Sequence, residues 1–199
     1  MTRRGLTPER VTEAAAELAD SAGVQSVTVA ALARRLGVAD ASLYSHIRSL
    51  ADLRNRMALA ASAELADRIA LAVAGRSGRD ALAAFAGAYR AYVLEHPGRY
   101  AATQLPIDPA VAAGSAALRR SIEVTQALLR GYDLAEPDAT DAGRLLRAFF
   151  HGFASIEAAG GFGHPRVPAA SWDAAIAALD QTLRNWPARP GAGPDSAGG

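Results

Sequence analysis

Cysteine is missing from all 199 residues, which excludes a disulfide framework, a thiol nucleophile and a thiolate metal site. Lysine is missing too: all 21 of the Lys and Arg positions are arginine, a bias that GC-rich coding accounts for without any functional demand. No apolar run approaches the ~20 residues that span a bilayer, and the N-terminus has no signal-peptide apolar stretch. The expected address is the cytoplasm, with no membrane partner. A large charge excess is also missing; at a net charge of +1, affinity for a polyanion has to come from a local patch. His46, His96, His151 and His164 are scattered, without the His-x-x-x-His or His-Glu-x-x-His spacing of a metal site. There is no Gly-x-Ser-x-Gly elbow, phosphate loop or dinucleotide fingerprint, and no internal repeat. Gly160-Gly-Phe-Gly163 is glycine-rich but follows a helical pattern, so it reads as a helix terminator. Asp138 and Asp141 sit at a helix start, where the dipole explains them. No catalytic residue, metal or cofactor is therefore expected, and an enzyme is the minority reading.

What the chain does have is helical periodicity from end to end, with no strict alternation of the strand type. Half its residues are hydrophobic and its mean hydropathy is near zero, as in a globular protein with a real core. The informative stretch is Thr28 to Ile47. Thr28 can cap a helix carrying Leu32, Ala33 and Leu36; Gly37 stops it in a left-handed conformation. Val38 plugs the turn, Asp40 caps a second helix, and Leu43 and Ile47 point back into the same core. Ala39, Ala41, Ser42, Tyr44, Ser45 and His46 are left facing partly outward. This is a helix-turn-helix, whose second helix enters a DNA major groove.

The stretch resembles the DNA-binding domain of the TetR family of transcriptional regulators, with residues 4 to about 60 taking part. Arg10–Gly23 looks like the family's first helix, Thr28–Gly37 its second and Asp40–Ile47 its recognition helix. Leu43-Tyr44-Ser45-His46 matches the hallmark Leu-Tyr-x-His. Ile47 stands where phenylalanine is usual, a conservative core change, and Leu50 where lysine is common, which removes a phosphate contact. The resemblance implies an all-α fold of about nine helices that binds a double-stranded operator as a homodimer. Its DNA-binding residues would be Arg3, Arg4, Thr28, Val29, Ala39, Asp40, Ala41, Ser42, Tyr44, Ser45, His46 and Arg48, with Arg54 adding phosphate attraction. Arg3 and Arg4 fit either a basic arm reaching DNA or a terminus whose charge only aids solubility.

Farther along, Thr7-Pro8-Glu9 starts a helix with Val11, Ala14 or Ala15, Leu18 and Ala22 inward, ended by Gly23. Ser49-Leu-Ala-Asp52 reads as a capping box. The helix after it carries Leu50, Leu53, Met57, Ala61, Leu65, Ile69 and Val73 at intervals of three or four, one rod touching both halves of the molecule. Further helices are expected over 79–96, over 99–105, from Asp108-Pro109 to Gly131, over 136–160 and from Pro168 to Trp186. In the helix from Asp108, Val111, Leu118, Ile122, Leu129 and Tyr132 are expected inward. The expected division is a helix-turn-helix domain at 1–48, an effector and dimerisation domain at 49–186 with 49–73 as connecting helix, and a disordered tail at 187–199.

Phe150-His151-Gly152-Phe153, with Glu157-Ala-Ala-Gly-Gly-Phe-Gly163, resembles a TetR C-terminal domain known for its Trp-His-Gly motif, phenylalanine replacing tryptophan. The resemblance implies that the last two helices dimerise. Leu145, Phe149, Gly152, Ile156, Trp172, Ile176, Leu179 and Leu183 are the candidates for that interface; each alternatively fills the chain's own core. Phe85, Tyr89, Tyr92, His96, Tyr100, Gln104, Leu118, Ile122, Phe149, His151 and Phe153 could line a pocket for a small, largely apolar effector, or be core. The reading is a regulator, a repressor released by its ligand; the alternatives are a helical protein-interaction adaptor or a small-molecule-binding enzyme.

Overall fold

Residues 6–187 are described by the computed structural model, and among them there are helices and turns but no strand. The helices are α1 (Pro8–Ala22), α2 (Val29–Leu36), α3 (Asp40–Leu43), α4 (Leu50–Val73), α5 (Gly78–Glu95), α6 (Pro97–Thr103), α7 (Pro109–Ala113), α8 (Ala116–Arg130), α9 (Asp138–Ala158) and α10 (Pro168–Arg184), with a 3-10 turn at Val24–Ser26. Ten helices replace the expected nine because Gly114 ends α7 and Ser115 caps α8, its Oγ accepting the Leu118 N–H at 3.2 Å. α5 ends at Glu95, just before Pro97, and Pro97 itself occupies the first position of α6, which starts two residues earlier than expected. Arg3 and Arg4, and the tail beyond residue 187, lie outside the described residues.

Two cores share one rod. The first gathers Val11, Ala14, Ala15, Ala19, Val27, Leu32, Leu43, Ile47, Leu53 and Met57, together with Ala102 from α6. In α1 the inward line runs through Ala19; Ala22 is exposed and Leu18 only half-buried. The second core gathers Ile69, Leu82, Phe85, Tyr89, Tyr92, Leu129, Leu146, Phe150, Trp172, Ile176 and Leu183. α4 serves both and packs on α1, α5, α6 and α8.

Trp172, Ile176, Leu179 and Leu183, candidates for a dimer contact, are turned into this second core. Their period matches the inward face of α10, and Phe149, Phe150 and Phe153 pack around the Trp172 ring at 5.1 to 5.7 Å. Val111, expected inward, is instead exposed on short α7. No helix among the described residues is long and apolar enough to cross a membrane.

Candidate DNA-binding face and ligand cavity

The helix-turn-helix is held by local chemistry. Thr28 Oγ1 accepts the Ala31 N–H at 3.2 Å, and Gly37 takes the left-handed backbone, φ 68° and ψ 36°. The threonine hydroxyl keeps its own hydrogen to donate outward. Asp40 is not the cap: Ala39 holds that position without a side-chain bond, and Asp40 is the first helical residue, placed against the positive end. α3 is shorter than expected. It stops at Leu43, where the His46 N–H turns to the Leu43 carbonyl at 2.8 Å, while the Ile47 N–H keeps the helical bond to the same carbonyl at 3.0 Å.

Leu43 is fully buried and Ile47 nearly so, each worth ~1.5–3 kcal/mol, which anchors the segment from beneath. Ala39, Asp40, Ala41, Ser42, Ser45 and Arg48 are exposed on the other side; Val29 and His46 are half-buried. Tyr44 projects with 57 % of its surface exposed. Arg56, which the sequence does not single out, and Asp52 of the capping box lock this face to α4. Arg56 donates to the His46 carbonyl at 3.2 Å and pairs with Asp52 at 2.8 Å. The Asp52 carboxylate in turn accepts the Arg48 N–H at 3.1 Å, so the capping box closes one residue early. Burial draws the Asp52 acid up, but these bonds outweigh it and leave its pKa below the ordinary aspartate value.

Behind the head, α6 is the hinge between the two cores. Its Gly98 lies against α1, and Arg99 reaches Asp20 through its backbone N–H (2.8 Å) and Nε (2.9 Å), Glu13 at 2.6 Å and Glu64 at 3.3 Å. His96, just before α6, sits 3.3 Å from Asp20 and 3.0 Å from Arg68. Tyr92 is fully buried and donates to Glu64 at 3.3 Å. Tyr92 and His96, both expected in the pocket, thus belong to this ion-pair cluster: one helical turn apart, they face α4 and α1.

The opposite face of α6 meets a cavity of about 530 Å³ between α4, α5, α8 and α9. Phe85, Tyr89, Tyr100, Gln104, Leu118 and Ile122 lie on its wall, joined by Leu65, Ile69, Leu129, Leu146 and Phe150. Ile122, 57 % exposed, is on the cavity wall and not in packed core. Phe149 and Phe153 are absent from the wall because their rings are engaged with Trp172 on the far side of α9.

His151 lines a separate cleft of about 400 Å³ with Pro97, Ala101 and Ser155. Its Nδ1 nevertheless lies 2.7 Å from the Tyr100 hydroxyl, which is 2.5 Å from that of Tyr89, so a three-member chain of polar groups runs from the cleft to the cavity. Burial pushes both phenols above the ordinary tyrosine range, keeping them protonated hydrogen-bond donors. Among the described residues no group of His, Asp or Glu could hold a metal ion.

An outward-facing helix-turn-helix, joined by α4 and α6 to a helical body with a cavity, defines a helix-turn-helix transcriptional regulator. Residues 11–57 match the family model described as bacterial regulatory proteins, tetR family, and residues 82–179 that of the tetracyclin repressor-like C-terminal domain. The uncharacterized HTH-type transcriptional regulator YobS of Bacillus subtilis is 36% identical over 152 residues, covering 76% of this chain and 78% of the relative. A solved protein of unknown function from Rhodococcus sp. RHA1 superposes with a TM-score of 0.74 at 25% identity, covering 92% of this chain and 97% of the other. BioQ solved with its double-stranded DNA operator shares the fold, with a TM-score of 0.64 at 20% identity, 90% of this chain and 99% of the other. The chain belongs to the TetR family: it is a DNA-binding transcriptional regulator and not an enzyme.

Proposed function

We propose that this regulator is a repressor that binds a near-palindromic operator as a homodimer and is released by a small, largely apolar ligand. The observation that carries the reading is α6, which has Gly98, Arg99 and Ala102 on the head and Tyr100, Thr103 and Gln104 on the cavity. On DNA, Tyr44, Thr28, His46 and Arg48 position the head on phosphates, helped by N–H groups at Val29 and Ala41. Ala39, Asp40, Ala41, Ser42 and Ser45 approach base edges. Residues 1–48 act as the head and 49–186 as the body, with 49–73 as the connecting helix.

Two-fold symmetry sets the two α3 segments one helical turn apart, ~34 Å, or more on a widened site. The exposed Leu145 and Ile156 on α9, with half-buried Gly152 between them, form the pairing face. Exposed Ala174 and Ala178 of α10 allow the close approach of a second copy. A ligand that prefers one head separation shifts the equilibrium by that difference in affinity, ~1–3 kcal/mol of coupling. The test is Tyr44→Ala in a gel-shift titration on retained genomic fragments. Operator affinity is expected to drop at least about tenfold, some ~1.4 kcal/mol, with fold and dimer unchanged; unchanged affinity contradicts the assigned face.

A further inference from the structure

The charged groups on the cavity wall are not in balance. Glu136 already accepts a hydrogen bond from Thr140 Oγ1 at 2.7 Å, and Arg144 pairs with Asp141 at 3.4 Å. Arg147, nearly one turn farther along α9, lines the same wall with no ion pair or hydrogen bond among the described residues. We propose that the effector is an amphipathic monocarboxylate whose head group pairs with Arg147 beside the Tyr89–Tyr100 hydroxyls and whose apolar body lies against Leu65, Ile69, Leu129 and Phe150. This rests on the ligand-responsive reading above and names the ligand class of that same cavity.

Guanidinium matches carboxylate in a fork of two parallel hydrogen bonds, and does so best where water is displaced. A neutral ligand lying over Arg147 would strip its water without replacing it; a cation would be repelled. The phenols sit within the reach of the arginine's charge, which favours their ionised forms against the burial that opposes them. Tyr89 is 9 % exposed and bonded to Tyr100, itself bonded to His151. With hydrogen on His151 Nδ1, the chain runs from imidazole to Tyr100 to Tyr89, and the Tyr89 O–H is free to donate to the second carboxylate oxygen. The stretch of wall formed by Leu65, Ile69, Leu129, Leu146 and Phe150 is apolar, so the part of the ligand that lies against it is too.

Isothermal titration of the full-length dimer with decanoate, 1-decanol and decyltrimethylammonium, all below micelle-forming concentration, tests this. Decanoate is expected to bind roughly tenfold more tightly than the alcohol, and the ammonium most weakly. Arg147→Gln should abolish the preference, leaving decanoate no tighter than the alcohol, and Tyr89→Phe should weaken decanoate more than the alcohol. Arg144→Gln, which touches the neighbouring pair, should keep the preference. Equal binding of acid and alcohol, a preference that survives Arg147→Gln, or no binding of any probe overturns the proposal. A gel shift with the same probes separates the two claims: decanoate that binds with preference yet leaves the DNA complex intact supports this ligand class and overturns the ligand-responsive reading.

Discussion

Gly98 is pressed so closely onto Ala19 that a Cβ on it would stand 2.0 Å from both the carbonyl carbon and the carbonyl oxygen of Ala19. Backbone cannot swing aside as a side chain does, so α6 would have to retreat from α1. Gly98→Ala should cost ~1–3 kcal/mol or more in a urea melt and weaken release of DNA by ligand. The same change at Gly87, in mid-α5 with nothing within 4 Å, should instead stabilise by about 0.5–1 kcal/mol. If both variants melt alike, α6 is not docked on α1 as described.

The apolar residues of the last two helices divide into two sets that arginine substitution distinguishes. Leu145 and Ile156 are 38 % and 45 % exposed, whereas Trp172 is 4 % exposed beneath the Arg90 guanidinium, 5.8 Å from its ring. Ile156→Arg should give folded monomers in sedimentation, and Trp172→Arg a protein that does not fold, since it buries an unpaired charge. A dimer that survives both Leu145→Arg and Ile156→Arg places the interface elsewhere.

Asp180 ties α10 to the end of α8, accepting from Tyr132 at 2.8 Å and Arg184 at 3.0 Å. Burial alone would raise its carboxyl, but the Arg184 and Tyr132 bonds and the nearby positive charges hold its pKa below the ordinary aspartate value. A depressed folded value means stability that is complete above the unfolded pKa of ~3.9 and lost as pH falls through the folded one. Thermal melts from about pH 5 to about pH 2.5 should therefore show a shallower acid loss for Asp180→Asn than for the parent. Parallel acid limbs would contradict the bond network.

Local chemistry was readable before any coordinates. Thr28 capping, Gly37 turning left-handed and Leu43 with Ile47 facing inward are all decided within a few residues, and the structure has each of them. What escaped was set at long range. Arg99 meets Asp20 and Glu13 across 79 and 86 residues, a convergence that no local pattern encodes. The aromatic stripes marked the cavity only in part, for a related reason: helical spacing does not say whether a neighbouring helix or a cavity lies opposite a face, so Phe85, Tyr89 and Tyr100 line it while Tyr92, Phe149 and Phe153 pack elsewhere. The division at Gly114 was hidden because the apolar period runs on through it, and α3 falls short of Ile47 because the His46 N–H turns to the Leu43 carbonyl instead of that of Ser42.

The most direct test of the central claim, that the Tyr44 face is held rigid for duplex DNA, is selection of genomic fragments on the purified protein, followed by footprinting of what is retained. The account predicts a protected site with two related half-sites one turn apart or slightly more, and an affinity that falls steeply and linearly on a log–log salt plot as phosphate counterions are released. Retention of no fragment above background, or a flat salt plot, contradicts it.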